Sequence, residues 1–106
     1  MIKLHTQQGD CVLEIVTEIP RQAKKIELTK SFIVLKGEGV NAHTIEDCSG
    51  VEVYEVEGVL YLKTKKLVEL THQEHGKTKL EPNKIYRRVI EREFDYEGME
   101  ARNTRD

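Results

Sequence analysis

Val51-Glu52-Val53-Tyr54-Glu55-Val56-Glu57-Gly58-Val59-Leu60-Tyr61-Leu62-Lys63-Thr64 decides the fold. Both halves are rich in β-branched and aromatic residues, and the first alternates apolar and polar side chains. That is the period of a pleated strand, not of a helix. The two halves are separated by Glu57-Gly58, which reads as a tight hairpin turn, with Gly58 able to supply the positive φ such turns require.

Working outward, residues 11–17 form another β-branched run, bounded by Gln8-Gly9-Asp10 and Ile19-Pro20. Residues 31–35 are short and apolar, are broken by Gly37-Glu38-Gly39, and read as a buried strand. Residues 67–70 give a further short strand. The stretch 85–94 is the longest β candidate and follows a turn in which Pro82 presets φ. Its alternation is imperfect, which predicts a twisted or bulged strand near an edge. A first strand is expected near His5. Helix signals amount to single turns at 21–25 and 71–75, the latter with Thr71 as a candidate N-cap.

About seven short strands with little helix predict a mainly β single domain, either a small β-barrel or a compressed sandwich. A barrel would limit exposed edges. The domain is expected over 1–95. The tail, 96–106, carries only Met99 and Ala101 as clearly apolar side chains and is expected to fray.

Composition excludes several function classes. The 106 residues fit one domain, and 38% hydrophobic with 34% charged residues make it lean but periodic, unlike a disordered chain. The net charge of −2 offers no global field for nucleic acid or an anionic membrane. No apolar stretch approaches the roughly 20 residues of a transmembrane helix. Met1-Ile2-Lys3-Leu4-His5 is too short and polar for a signal peptide, so a cytoplasmic product is expected. Cys11 and Cys48 are not a disulfide framework. Cys11 reads as a small buried hydrophobe, and Cys48, between Glu46-Asp47 and Ser49-Gly50, as a turn residue that could also ligate a metal.

The concentrated chemistry lies in histidines. His43 stands in Asn41-Ala42-His43-Thr44, and His72 and His75 in Thr71-His72-Gln73-Glu74-His75-Gly76, all read as polar loops between strands. On a helical turn, residues i and i+3 share a face, so His72 and His75 would reach one zinc-like divalent ion. His43 would be the third ligand if the two loops meet, with Glu74 or Glu38 as a fourth ligand or general base. A metal-activated water attacking an ester or phosphoester would be the simplest reaction. The bland alternative is solvated turn histidines, and for His5 a surface residue.

Tyr86, Arg87, Arg88 and Arg92, with Lys84 and Phe94 nearby, make a basic and aromatic stretch of the kind that binds single-stranded nucleic acid. Glu91, Glu93 and Asp95 cancel that charge, and a solvated sheet face with cross-strand ion pairs reads better.

Gln8-Gly9-Asp10, Ile19-Pro20 with Ala23-Lys24-Lys25, Gly37-Glu38 followed by Ala42-His43, Leu70-Thr71-His72-Gln73-Glu74-His75-Gly76, Leu80-Glu81-Pro82, Glu91-Arg92-Glu93-Phe94-Asp95 and the closing Arg105-Asp106 form a recurring pattern. It resembles a family of short, uncharacterised proteins of bacteria and tailed phages. The family pattern carries two histidines at a Gly-His-x-His step, whereas here only His43 stands, after Asn41-Ala42. The resemblance implies a phage or prophage context and no particular chemistry. The functions that remain are divalent-metal binding at His43, His72, His75 and Glu74, an interaction or structural module acting on a phage protein or a second copy through an edge strand or oligomer face, and single-stranded nucleic-acid binding.

Overall fold

The computed structural model describes residues 5–9, 11–37 and 41–89. Their ten strands are β1 (His5–Gln8), β2 (Cys11–Val16), β3 (Lys24–Ile26), β4 (Phe32–Lys36), β5 (Ala42–Ile45), β6 (Val51–Val56), β7 (Val59–Thr64), β8 (Val68–His72), β9 (Gly76–Leu80) and β10 (Ile85–Val89). They build two antiparallel sheets, ordered β1-β2-β10-β7-β6-β3 and β4-β5-β8-β9. Both sheets bury one face in a single core. Leu13, Val53, Leu62 and Tyr86 come from the larger sheet, and Val34, Ile45, Leu70 and Leu80 from the smaller. The mainly β expectation holds as a sandwich. Closure into a barrel does not occur: β1, β3, β4 and β9 remain edges.

The central hairpin forms as its sequence dictates. Val56 pairs with Val59 and Tyr54 with Tyr61, and Glu57 and Gly58 both take positive φ, 51° and 82°. The turn at Pro82-Asn83 also forms, with Asn83 at φ 62°. The buried hydroxyl of Thr64 organises this turn, donating to Glu81 O at 2.6 Å and accepting from Lys84 N at 3.0 Å.

Four expectations change. β10 is not near an edge: it pairs with β2 on one side and β7 on the other. Its broken alternation has another cause. Arg88 lies opposite Leu13, a core residue, and its guanidinium donates to Val34 O on the other sheet and to Gly58 O. β4 is itself an edge strand, with only Val34 fully buried, and a register irregularity falls between Ile33 and Leu35. The helical turn expected at 71–75 is strand followed by a hairpin loop. That expected at 21–25 is a single turn closed by Ala23 N on Pro20 O, and β3 begins at Lys24. The one short helical turn among the described residues is at Cys48–Gly50, where Asp47 accepts from Ser49 N.

Neither cysteine is in a disulfide, and both are buried. Burial, with the Asp47 charge beside it, pushes the Cys48 thiol above its ordinary value and keeps it protonated. The frayed tail expected at 96–106, together with Arg92, Glu38 and Asp10, lies outside the described residues.

Candidate functional site: a histidine corner between the sheets

His43, His72 and His75 come together. Ring centroids lie 4.3 Å apart for His43 and His72, 4.6 Å for His72 and His75, and 6.3 Å for His43 and His75. Two different elements achieve this. β5 pairs with β8, Thr44 opposite Thr71, which sets His43 beside the end of β8. β8 then turns into β9 with His72 opposite Gly76, so a three-residue loop brings His75 back over His72. The positive φ of Gly76, 73°, suits that tight return. The helical turn invoked for the histidine pair is therefore unnecessary, because a short hairpin loop also brings i and i+3 together.

His43 is not the exposed loop residue its neighbours suggest. It occupies an inward position on β5, with 0% of its surface exposed, two residues before the equally buried Ile45. A buried imidazole must satisfy its polar nitrogens. Its Nδ1 lies 2.7 Å from Oε1 of Gln8, a residue only 2% exposed at the end of β1. Gln8 Nε2 donates to Leu70 O and Gly76 O, each at 2.7 Å. Both partners are carbonyls, so the amide orientation is fixed and Oε1 is the atom facing His43. It follows that His43 Nδ1 carries a proton and donates it, and in the neutral ring the lone pair is on Nε2. Gln8 thus ties an edge of the larger sheet to three strands of the smaller one, β5, β8 and β9, and fixes the tautomer of His43.

His72 is half-buried and oriented in the opposite sense. Its Nδ1 accepts from the backbone N–H of Glu74 at 3.0 Å and of His75 at 3.2 Å, so this ring caps its own hairpin loop. The loop is tied to β5 by Gln73 Oε1, which accepts from Ala42 N at 3.0 Å. His75 is exposed, and its ring lies against Gly9, where an added Cβ would stand 2.5 Å from Cδ2 and Nε2. Glu74 leans toward Asn41, Oε2 lying 3.5 Å from Nδ2. Among the described residues no group of three or more His, Cys, Asp or Glu side chains is arranged to hold a metal ion. The rings lie against one another: His43 and His75 are 6° from parallel, and His72 is tilted to them by 33° and 37°.

The basic stretch is occupied by the fold. Tyr86 is core, 2% exposed, and its hydroxyl accepts from Glu81 N at 3.0 Å, so it has no face on which a base could stack. Arg87 donates to Glu14 through Nε at 2.7 Å and Nη2 at 2.6 Å. Arg88 clasps the two sheets through carbonyls. A concavity of about 1000 Å³ lies elsewhere, between residues 25–30 and 47–52, and the carboxylate of Glu52 in it is already engaged. Glu52 there accepts from Lys65 at 2.8 Å and Tyr54 at 2.9 Å, with Lys25 at 3.5 Å. The hydrogen bond from Lys65, then that from Tyr54, hold its carboxyl down at about 2.

The chain belongs to the family described as a domain of unknown function, DUF8820, whose match covers residues 7–90. Gln8, His43, His72 and His75 all fall inside that span. No curated protein and no solved structure matches the chain. Among the described residues no helix is long and apolar enough to cross a membrane. Gln8 is the site residue that the sequence did not announce: its partners stand 35, 62 and 68 positions away.

Proposed function

We propose that the domain is a metal-binding module that takes a zinc-like divalent ion at the histidine corner. His43, His72 and His75 supply imidazole nitrogens, with Glu74 as the acid within the same loop. The observation that carries this reading is the gathering of three imidazoles from two elements within 6.3 Å of one another. The support beneath His43 strengthens it: ligating histidines typically donate the second ring N–H to an oxygen, as His43 does to Gln8. The test is calorimetric titration of untagged protein with zinc. One site per chain that is lost in His75→Ala, an exposed position that leaves the core intact, supports the reading. Absence of binding, or binding indifferent to that change, overturns it. A phage or prophage setting in the host cytoplasm completes the reading and rests on the sequence resemblance.

A second reading has its own observation. β4 is an edge strand on which no charge falls between Phe32 and Leu35 and Ile33 is 52% exposed, whereas edges β3 and β9 carry Lys24, Lys25, Lys77 and Lys79. Lysines on edges block strand addition, and β4 carries its single lysine, Lys36, only at its last position. The β4 edge would then pair with that of a second copy as an interaction module. Light scattering that gives a dimer, converted to monomer by Ile33→Lys, supports it; a monomer at high concentration overturns it.

A further inference from the structure

β3 pairs with β6 only as far as Ile26 opposite Val53, although β6 begins earlier, at Val51. Beyond Ile26 the chain leaves the larger sheet and crosses to the smaller one, where β4 begins at Phe32. On the way Lys30 O accepts from Cys48 N at 3.0 Å, which ties the crossing to the short turn at Cys48–Gly50. The notch left between the crossing, that turn and the start of β6 is the concavity of about 1000 Å³. We propose that this notch is a binding site for a small aliphatic carboxylate, its chain on the notch floor and its charge at Lys30 and Lys66.

The floor is apolar and partly open. Ile26 and Leu28 pack against the core yet stay only half-buried, and Val51 and Cys48 beside them are 5% and 8% exposed. Burial keeps the Cys48 thiol neutral, so it belongs to the apolar surface. Small-molecule sites are concavities of roughly 300–1000 Å³, mostly apolar, with a few placed polar groups. The notch fits that description.

The charges around the floor are used unevenly. Glu52 already accepts from Lys65 and Tyr54, with Lys25 at 3.5 Å. Asp47 accepts from Ser49 N at 3.0 Å, and hydrogen bonding from Ser49, then the charges of Lys66 and Lys30, hold its carboxyl below the ordinary value. Among the described residues neither Lys30 nor Lys66 stands in an ion pair. Lys30 is exposed, and Lys66 lies over Gly50, where an added Cβ would collide with its stem. Both lysines are thus on the turn side of the notch, whereas the remaining acid of the lining, Glu27, follows β3 directly. That asymmetry orients an amphipathic anion with its charge toward the turn. Because Asp47 stays ionised there, two ammonium groups would meet two carboxylates, and a singly charged group fits better than a dianionic phosphate.

The test uses the full chain labelled with ¹⁵N and titrated with octanoate below its micelle threshold, with octylamine and octan-1-ol as probes of the same body. The Leu28, Cys48, Ser49 and Val51 amides are expected to shift and saturate at one octanoate per chain. Octylamine and octan-1-ol are expected to bind at least about tenfold more weakly. Lys30→Gln should weaken octanoate about threefold, and Lys30→Gln with Lys66→Gln about tenfold, the scale of one and two exposed ion pairs. Both positions lie outside the core, so the urea midpoint should hold. Octylamine or octan-1-ol binding as tightly as octanoate, octanoate binding unchanged in the double variant, or no shift at these four amides overturns the proposal. None of these outcomes bears on the zinc reading.

Discussion

Replacing Gln8 by Leu tests the claim that this side chain underpins the histidine corner. The variant keeps bulk but removes three hydrogen bonds, two buried and one part-buried: from Nε2 to Leu70 O and to Gly76 O, and from His43 Nδ1 to Oε1. A typical hydrogen bond contributes about 1 kcal/mol net, and stranding a buried donor such as the His43 N–H costs about 1–3 kcal/mol. The sum is about 3–5 kcal/mol, set against total stabilities of about 5–15 kcal/mol for domains of this kind. Urea unfolding followed by circular dichroism reads it directly. With a slope of about 1–3 kcal/mol/M, the midpoint should fall by about 1–5 M. His43→Phe completes a double-mutant cycle. Where both polar partners are replaced, His43 no longer strands a donor, so the double variant should be more stable than the sum of the singles by at least about 1 kcal/mol. A Gln8→Leu loss below about 1 kcal/mol, or strict additivity, would refute the reasoning.

Three further outcomes follow from the fold. Thr64→Val removes the hydroxyl that bridges Glu81 O and Lys84 N and should cost about 1–2 kcal/mol in urea unfolding, with no loss if water replaces the bridge. Gly58→Ala meets nothing within 4 Å but must hold φ 82°, so it should cost about 1–2 kcal/mol from backbone strain alone, and a neutral result would contradict the turn geometry. Glu52 is held at about 2 from an ordinary value of 4.5, so its contribution is present above pH 4.5 and is lost as pH falls toward 2. The urea midpoint should therefore drop more steeply over that window in the natural chain than in Glu52→Gln. Parallel profiles would refute the Lys65–Glu52–Tyr54 cluster.

The legible parts of this fold were those with local causes. Glu57-Gly58 between two β-branched runs specifies a hairpin because the turn and its flanks are contiguous. β3 and β9 were illegible because Lys24-Lys25-Ile26 and Gly76-Lys77-Thr78-Lys79-Leu80 bury little, as edge strands protected by lysine do. β10 was misplaced at an edge because Arg88 breaks its alternation, and its carbonyl partners, Val34 and Gly58, lie 54 and 30 residues away. At the site, the meeting of His43 with His72 and His75 was open in the sequence and is realised in the fold. What deceived was polarity. His43 sits in a polar neighbourhood yet fills a core position on β5, which is tolerated only because Gln8 Oε1 accepts the hydrogen bond from its Nδ1–H. Such pairing across 35 residues leaves no local pattern.

The central claim is that the corner formed by His43, His72 and His75 takes a divalent ion, and a zinc titration of untagged protein followed by calorimetry tests it most directly. The account predicts one zinc per chain, with the signal abolished by His75→Ala while the variant's urea midpoint stays unchanged. No heat of binding at any zinc concentration the protein tolerates, or equal binding by the His75→Ala variant, would contradict it.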